Sequence, residues 1–269
     1  MKLAVFNLEQ KKVKDAELPS QFTEEYRPDL IKRAVHALQS VARQAYGASP
    51  DAGQRHSSEL SKRRRKYRGC YGFGISRVNR KILSRRGTRM FWVGAFSPQT
   101  RGGRRAHAPK TTKKWVQKIN KKEANKAIRS AMAATMDAEL VAERGHKIPA
   151  NYPFILDNSF ESLSKTKEVK SALDVLGFAE ELVRGAKKTV RAGKGTMRGR
   201  RYKKRKSAVV VVSNLDCALA KAARNIAGVN VVSCDSLTGN ILAPGTHVGR
   251  AALWTQAAIE KIGSEKLYM

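Results

Sequence analysis

The densest run of chemically capable side chains is Lys62-Arg63-Arg64-Arg65-Lys66, five consecutive cations. Arg68, Arg77, Arg80, Lys81, Arg85, Arg86, Arg89, Arg101, Arg104, Arg105 and Lys110 continue it, well past the length of a localisation signal or a single solvated face. A second run holds Lys194, Arg198, Arg200, Arg201, Lys203, Lys204 and Arg205, interleaved with Gly193, Gly195 and Gly199. Guanidinium forks bind phosphate oxygens bidentately, and glycine lets a backbone follow a groove closely. The chemistry served by this pattern is phosphate neutralisation along a polyanion, with nucleic acid the expected partner. Tyr67, Tyr71, Phe73, Phe91, Trp92 and Phe96 stand among the cations, where they can stack on bases or wedge into structured RNA. Tyr202 either stacks on a base or packs against the core.

Catalytic chemistry finds little support. Holding Mg²⁺ beside a phosphate takes clustered carboxylates, and the basic stretches offer only Asp51 and Glu59, which are far apart. His36, His56, His107, His146 and His247 are scattered without HxxxH or HExxH spacing, and His36 falls on the polar side of a helix. Cys70, Cys217 and Cys234 show no CxxC spacing, and the last two read as core thiols. The stretch Gly193-Lys-Gly195-Thr-Met-Arg-Gly199 precedes a strand where a phosphate loop follows one, and it lacks GxGxxG spacing. No GxSxG elbow occurs. The expectation is a binding protein rather than an enzyme, with no cofactor, no metal and no small-molecule substrate.

The elements that position these side chains follow from where the charge lies. The 269 residues carry 54 Lys+Arg against 22 Asp+Glu, a net charge of +32. Residues 47–114 hold 19 basic and 2 acidic side chains, a net of +17, and residues 184–206 hold 12 and 0. The rest is nearly neutral and long enough for one ordinary core. In 47–114, Leu, Ile, Val and Phe number 9 of 68 residues, too few for a highly charged segment to fold alone. With nine glycines and no sustained period, that segment reads as an insertion without regular structure, either functional or disordered until bound. No apolar run approaches the roughly 18 residues of a membrane span, and Met1–Leu8 is too short for a signal-peptide core. With cysteine usage that suits a reducing compartment, a cytoplasmic protein without membrane contact is expected.

The neutral parts alternate strands and helices. Leu3–Phe6 is a short apolar run, and Pro28 opens a helix running to Ala45 with Gly47 as its stop. One long helix is expected over Lys121–Arg144, ended by Gly145, then a strand at Pro153–Leu156 and a helix at Thr166–Leu176. Ala208–Val212 reads as a strand buried on both faces, followed by a helix over Asp216–Ala227 and a strand at Val229–Val232. That βαβ unit requires parallel strands. Ala251–Trp254 repeats the theme, with Thr255 as N-cap of a helix over Gln256–Ile262 closed by Gly263. The expected class is α/β: a single globular domain (1–46 and 115–269) with a parallel or mixed central sheet and flanking helices, plus a long extended basic loop (47–114) and a basic segment at 184–206.

Several stretches resemble one known family. Arg101-Gly-Gly-Arg-Arg-Ala-His-Ala-Pro109-Lys110, Ala124-Asn-Lys-Ala-Ile-Arg-Ser-Ala-Met-Ala-Ala-Thr135 and Val141-Ala-Glu-Arg-Gly-His146 do so. So do Ala192–Tyr202, Ala222–Val229, Leu242-Ala-Pro-Gly245, Gly249-Arg250 and Trp254-Thr255, in the same order along the chain. Together they are similar to the universal large-subunit ribosomal protein L-four family in its archaeal and eukaryotic form, with a length of the archaeal type. The resemblance implies a structural component of the large ribosomal subunit that binds its ribosomal RNA, supports assembly and touches neighbouring ribosomal proteins. It also implies that the 47–114 loop reaches the wall of the nascent-peptide exit tunnel, its tip around Arg85–Gln99, with Met90, Phe91 and Trp92 as candidates to meet the nascent peptide. This tip is more aromatic than the family leads one to expect, and Thr246 stands where a glycine is expected. The rival reading is a non-ribosomal, chromatin-type nucleic-acid-binding protein, which shares the charge but not the whole-chain resemblance.

Overall fold

In the computed structural model, which describes residues 1–269, four consecutive valines form an interior strand of a six-stranded sheet. Its strands are β1 (Lys2–Phe6), β2 (Lys12–Glu17), β5 (Ile155–Leu156), β8 (Val209–Val212), β9 (Asn230–Ser233) and β10 (Ala252–Thr255). They are ordered β2-β1-β5-β10-β8-β9, with β2 antiparallel to β1 and every other pairing parallel. Side chains alternate across a strand, so Val209 and Val211 enter one hydrophobic core and Val210 and Val212 the other. On the first face pack α1 (Pro28–Val41), α2 (Lys121–Thr135), α7 (Gly239–Leu242) and α8 (Gln256–Ser264), supplying Ile31, Met132, Leu242 and Ile262. On the second pack α4 (Thr166–Leu173), α5 (Ala179–Ala186) and α6 (Ala218–Ala223), with α3 (Ala138–Glu143) adding Val141. The class is α/β with a mixed sheet and flanking helices, as the alternation of elements implied. No helix is long and apolar enough to cross a membrane.

Several elements differ from the sequence reading for identifiable reasons. The long helix expected over Lys121–Arg144 is two, because the Asp137 carboxylate accepts from the N–H groups of Glu139 (2.9 Å) and Leu140 (3.4 Å) and starts α3 afresh. The first helix stops at Val41, short of Ala45, and its last apolar residues, Leu38 and Val41, are exposed. The helix from Thr166 gives way after Leu173 to a wider turn through Gly177 (φ +87°) that leads into α5, which sequence periodicity had not separated. The helix expected over Asp216–Ala227 is only six residues long. Thr255 does cap α8, accepting from Ala258 N–H, but the helix passes through Gly263 to Ser264. Strand β2 had no sequence signal: its residues KVKDAE are mostly exposed on a sheet edge, where charge discourages pairing with other chains.

The chain divides into two compact units, Met1–Ala42 with Val116–Met269, and Arg43–Trp115. The second is not without regular structure. It contains the antiparallel hairpin β3 (Arg80–Arg86) and β4 (Arg89–Gly94), joined through Gly87-Thr88 with Gly87 at φ +57°. In the first unit a smaller hairpin, β6 (Lys188–Val190) and β7 (Tyr202–Lys204), stands apart from the central sheet and precedes β8.

Candidate nucleic-acid interface

Within the Arg43–Trp115 unit the candidate cations are overwhelmingly at the surface. Lys62, Arg63, Arg64, Arg65, Lys66, Arg77, Arg85, Arg86, Arg89, Arg101, Arg105 and Lys110 are exposed, and Arg68, Arg80, Lys81 and Arg104 are half-buried. Only Arg68 meets a carboxylate, that of Glu59. The others have no internal counter-charge, an arrangement suited to external phosphates. Several cations, Arg68 included, lie over aromatic faces: Arg64 and Arg77 over Tyr71 (5.8 and 5.3 Å), Arg68 and Arg85 over Tyr67 (both 5.6 Å), and Arg80 over Trp92 (5.8 Å). Arg65, Arg68 and Phe96 adopt left-handed backbone conformations (φ +55°, +61° and +67°), strain that tends to gather at functional segments.

Met90, Phe91 and Trp92 do not act as one surface. Successive residues of β4 face opposite sides, so Met90 and Trp92 turn to one face and are half-buried, while Phe91 is exposed on the other. On the first face Met90 and Trp92 meet Tyr67, Phe73 and Ile75 around a cavity of about 420 Å³. A feature with no sequence signal lies at the root of the unit. Tyr46 stacks on Trp115 (ring centroids 5.2 Å apart), Arg43 lies 4.1 Å from the Trp115 ring centre and Lys113 4.5 Å. Ala48 N–H donates to the Pro109 carbonyl (2.9 Å) beside this clasp. Ring and cation come from segments some 70 residues apart, so only the folded chain reveals the pairing.

The second basic run occupies the β6–β7 hairpin and its turn. Lys194, Arg198, Arg200, Arg201, Lys203, Lys204 and Arg205 are all exposed, and so is Tyr202, which excludes packing against the core. The turn is braced internally by Arg191 Nε to the Arg200 carbonyl (2.9 Å) and Thr196 Oγ1 to the Arg191 carbonyl (2.7 Å).

Beneath this hairpin lies a buried polar cluster. Arg184 donates to Glu181 Oε1 (2.6 Å) and Oε2 (2.7 Å) and to the Lys206 carbonyl (2.7 Å). Ser207 Oγ and Lys147 N–H also donate to the Glu181 carboxylate (2.9 and 3.0 Å). Burial alone would raise the Glu181 carboxyl, but these donors outweigh it and hold it at about 2. A carboxylate only accepts, so His146 Nδ1, 2.8 Å away, carries the proton and donates. Burial, helped by the positive charges of Arg184 and Arg144, keeps His146 below its ordinary value despite Glu181. Gly185 and Gly228 permit the close packing here: a Cβ on Gly185 would sit 2.9 Å from the Ala227 carbonyl, and Gly228 has φ +83°. Arg250, also buried and just before β10, ties the starts of β8 and β9 to α7 through the Ser207 carbonyl (2.8 Å), Asn230 Oδ1 (2.7 Å) and the Ile241 carbonyl (2.9 Å). Burial lowers its guanidinium to about 10, which leaves it charged at neutral pH.

At the opposite, carboxyl ends of the parallel strands, where α/β folds commonly hold ligands, the space is taken by Glu161. Its carboxylate accepts from Ser213 N–H (3.0 Å), Ser213 Oγ (2.8 Å) and Thr255 Oγ1 (2.6 Å). No three His, Cys, Asp or Glu side chains are grouped to hold a metal ion. Cys234 is a buried thiol pushed up to about 11 by burial and by Asp235, and Cys217 is half-buried.

The chain is similar to known proteins along its whole length. A sequence profile of the ribosomal protein L4/L1 family matches residues 16–265. The large ribosomal subunit protein uL4 of Nanoarchaeum equitans is 46% identical over 268 residues, covering 100% of both chains. Proteins of the same name from Archaeoglobus fulgidus (44% over 264 residues, 98% of each chain) and Methanocaldococcus jannaschii (44% over 266 residues, 97% and 98%) are similar to it in the same way.

Proposed function

We propose, from the premise that this chain belongs to the ribosomal protein L4/L1 family, that it anchors itself in large-subunit ribosomal RNA through two basic surfaces and lines part of the peptide exit tunnel. Membership makes it a structural protein of the large ribosomal subunit, working with the ribosome in the cytoplasm, and not an enzyme. The α/β unit is the part suited to lie against neighbouring ribosomal proteins. Residues 43–115 and the 188–204 hairpin are the RNA-facing parts, and Phe91, exposed on β4, is the side chain best placed to face the nascent peptide. Phosphate contacts supply affinity and position, while aromatic and shape contacts fix register.

The observation that carries this reading is the number of exposed cations in the Arg43–Trp115 unit that lack an internal carboxylate partner. The whole-length similarity favours a ribosomal setting over a free chromatin-type binder, which charge alone would also allow. A photocrosslinking amino acid placed at Arg64, Lys203 or Phe91 tests it on large subunits washed in high salt and carrying stalled nascent chains. Crosslinks to ribosomal RNA from the first two sites and to nascent peptide from the third are expected. Loss of the protein in the wash, or crosslinks from Phe91 to RNA alone, would overturn the corresponding part.

A further inference from the structure

The cavity beside β4 has the composition of a base pocket. It measures about 420 Å³, within the range of about 300–1,000 Å³ typical of small-ligand sites. Tyr67, Phe73, Ile75, Met90 and Trp92 line it together with Lys66 and Arg68. Phe73 is 70% exposed and Tyr67 46% exposed, an unfavourable display of aromatic surface beside the five-cation run. Gly72 and Gly74, which flank Phe73, take φ +83° and +63° with open space around them. The guanidinium groups of Arg68 and Arg85 each lie 5.6 Å from the centre of the Tyr67 ring.

We propose that this cavity receives one unstacked nucleobase of the ribosomal RNA. Phe73 stacks on one of its faces, Tyr67, Met90 and Trp92 form the walls, and Lys66, Arg68 and Arg85 neutralise the adjoining phosphates. The inference deepens the RNA-binding reading and rests on it. A planar, polar-edged ring entering from a charged backbone matches aromatic walls under a cationic rim, whereas an apolar peptide would gain nothing from the cations. Base stacking on an aromatic side chain discriminates by more than the phosphate contacts, which are the same for any RNA.

The test compares two short RNA hairpins, one fully paired and one carrying a single unpaired nucleotide, with each of the four bases in the unpaired position. The full-length chain is expected to prefer at least one unpaired form by about tenfold. Phe73→Ala and Tyr67→Ala remove that preference, Phe73→Ala without loss of affinity for the paired hairpin, and Phe73→Trp restores it. Both rings are at the surface, so an unchanged circular dichroism spectrum verifies the fold of each variant. Binding of both hairpins without preference would overturn the pocket while leaving the RNA-binding reading intact, as would a preference untouched by the substitutions, which would mean that the unpaired base is read elsewhere on the chain. Failure to bind either hairpin at low salt would overturn both.

Discussion

Glu181 has no solvent exposure, yet it is ionised, because Arg184, Ser207, Lys147 and His146 all donate to it. Its carboxyl lies at about 2 against an ordinary 4.5, a difference that contributes roughly 3 kcal/mol to the fold. That contribution is present in full above pH 4.5 and is lost as the pH falls towards 2. His146, lowered from 6.5, acts in the same direction: the unfolded chain takes up its proton first, so stability declines as the pH falls below 6.5. Denaturant unfolding followed from neutral to acidic pH is therefore expected to show a shallow loss below 6.5 and a steeper one below 4.5. Glu181→Gln should cost about 3–5 kcal/mol at neutral pH, since Arg184 loses its buried partner, and should flatten the steeper region. An unaltered acid limb in that variant would show that other carboxylates control it. Thr246 presents a simpler case. Its φ of +75° is costly for a β-branched residue, by about 1–2 kcal/mol, and this is the position where the family resemblance leads one to expect glycine. Thr246→Gly should raise the unfolding free energy by about 1 kcal/mol once the added freedom of the unfolded chain is counted. A fall in the denaturation midpoint would mean that the threonine side chain makes a compensating contact.

The clasp of Tyr46, Trp115, Arg43 and Lys113 closes the ends of the second unit by stacking and cation–π attraction, each worth about 0.5–1.5 kcal/mol. Trp115→Ala should therefore speed amide exchange at Ala48, whose N–H is bonded to the Pro109 carbonyl, and leave Val209–Val212 protected. Equal acceleration at both places would show that the clasp supports the whole fold. How far elements can be read from sequence depends on what their residues bury. Strand β8 was legible because both faces of an all-valine strand are buried, and α8 because Thr255 is its N-cap. Strand β2 was hidden because it buries almost nothing, and the break between α2 and α3 was hidden because apolar spacing continues across Asp137. The hairpin β3–β4 carries no sequence signal because Met90-Phe91-Trp92-Val93 is apolar on both faces and shows no alternation. For the interface, the cations were plain from composition, since they act one by one on phosphate. The pocket was not, because Tyr67 and Phe73 meet Met90 and Trp92 only after the chain turns back at Gly87-Thr88.

At the scale of the whole molecule, charge and core occupy different parts of the chain. The two hydrophobic clusters draw their residues entirely from the Met1–Ala42 and Val116–Met269 unit. The cations of residues 47–114, a net of +17, belong to a unit that adds nothing to those clusters. If this division is functional, removing residues 50–110 and joining the ends with a short flexible linker should leave a chain that unfolds in one cooperative transition. RNA affinity should then fall steeply at low salt. The salt dependence discriminates further, because each phosphate neutralised contributes a log–log slope of about −0.7 to −0.9, according to whether the RNA is single-stranded or duplex. The intact chain should show a markedly steeper slope than the shortened one, whose remaining dependence should come from Lys194, Arg198, Arg200, Arg201, Lys203, Lys204 and Arg205. Equal slopes would place the binding on the α/β unit and its hairpin alone. A shortened chain that fails to fold would show that the loop is a structural partner of the core and not an attachment to it.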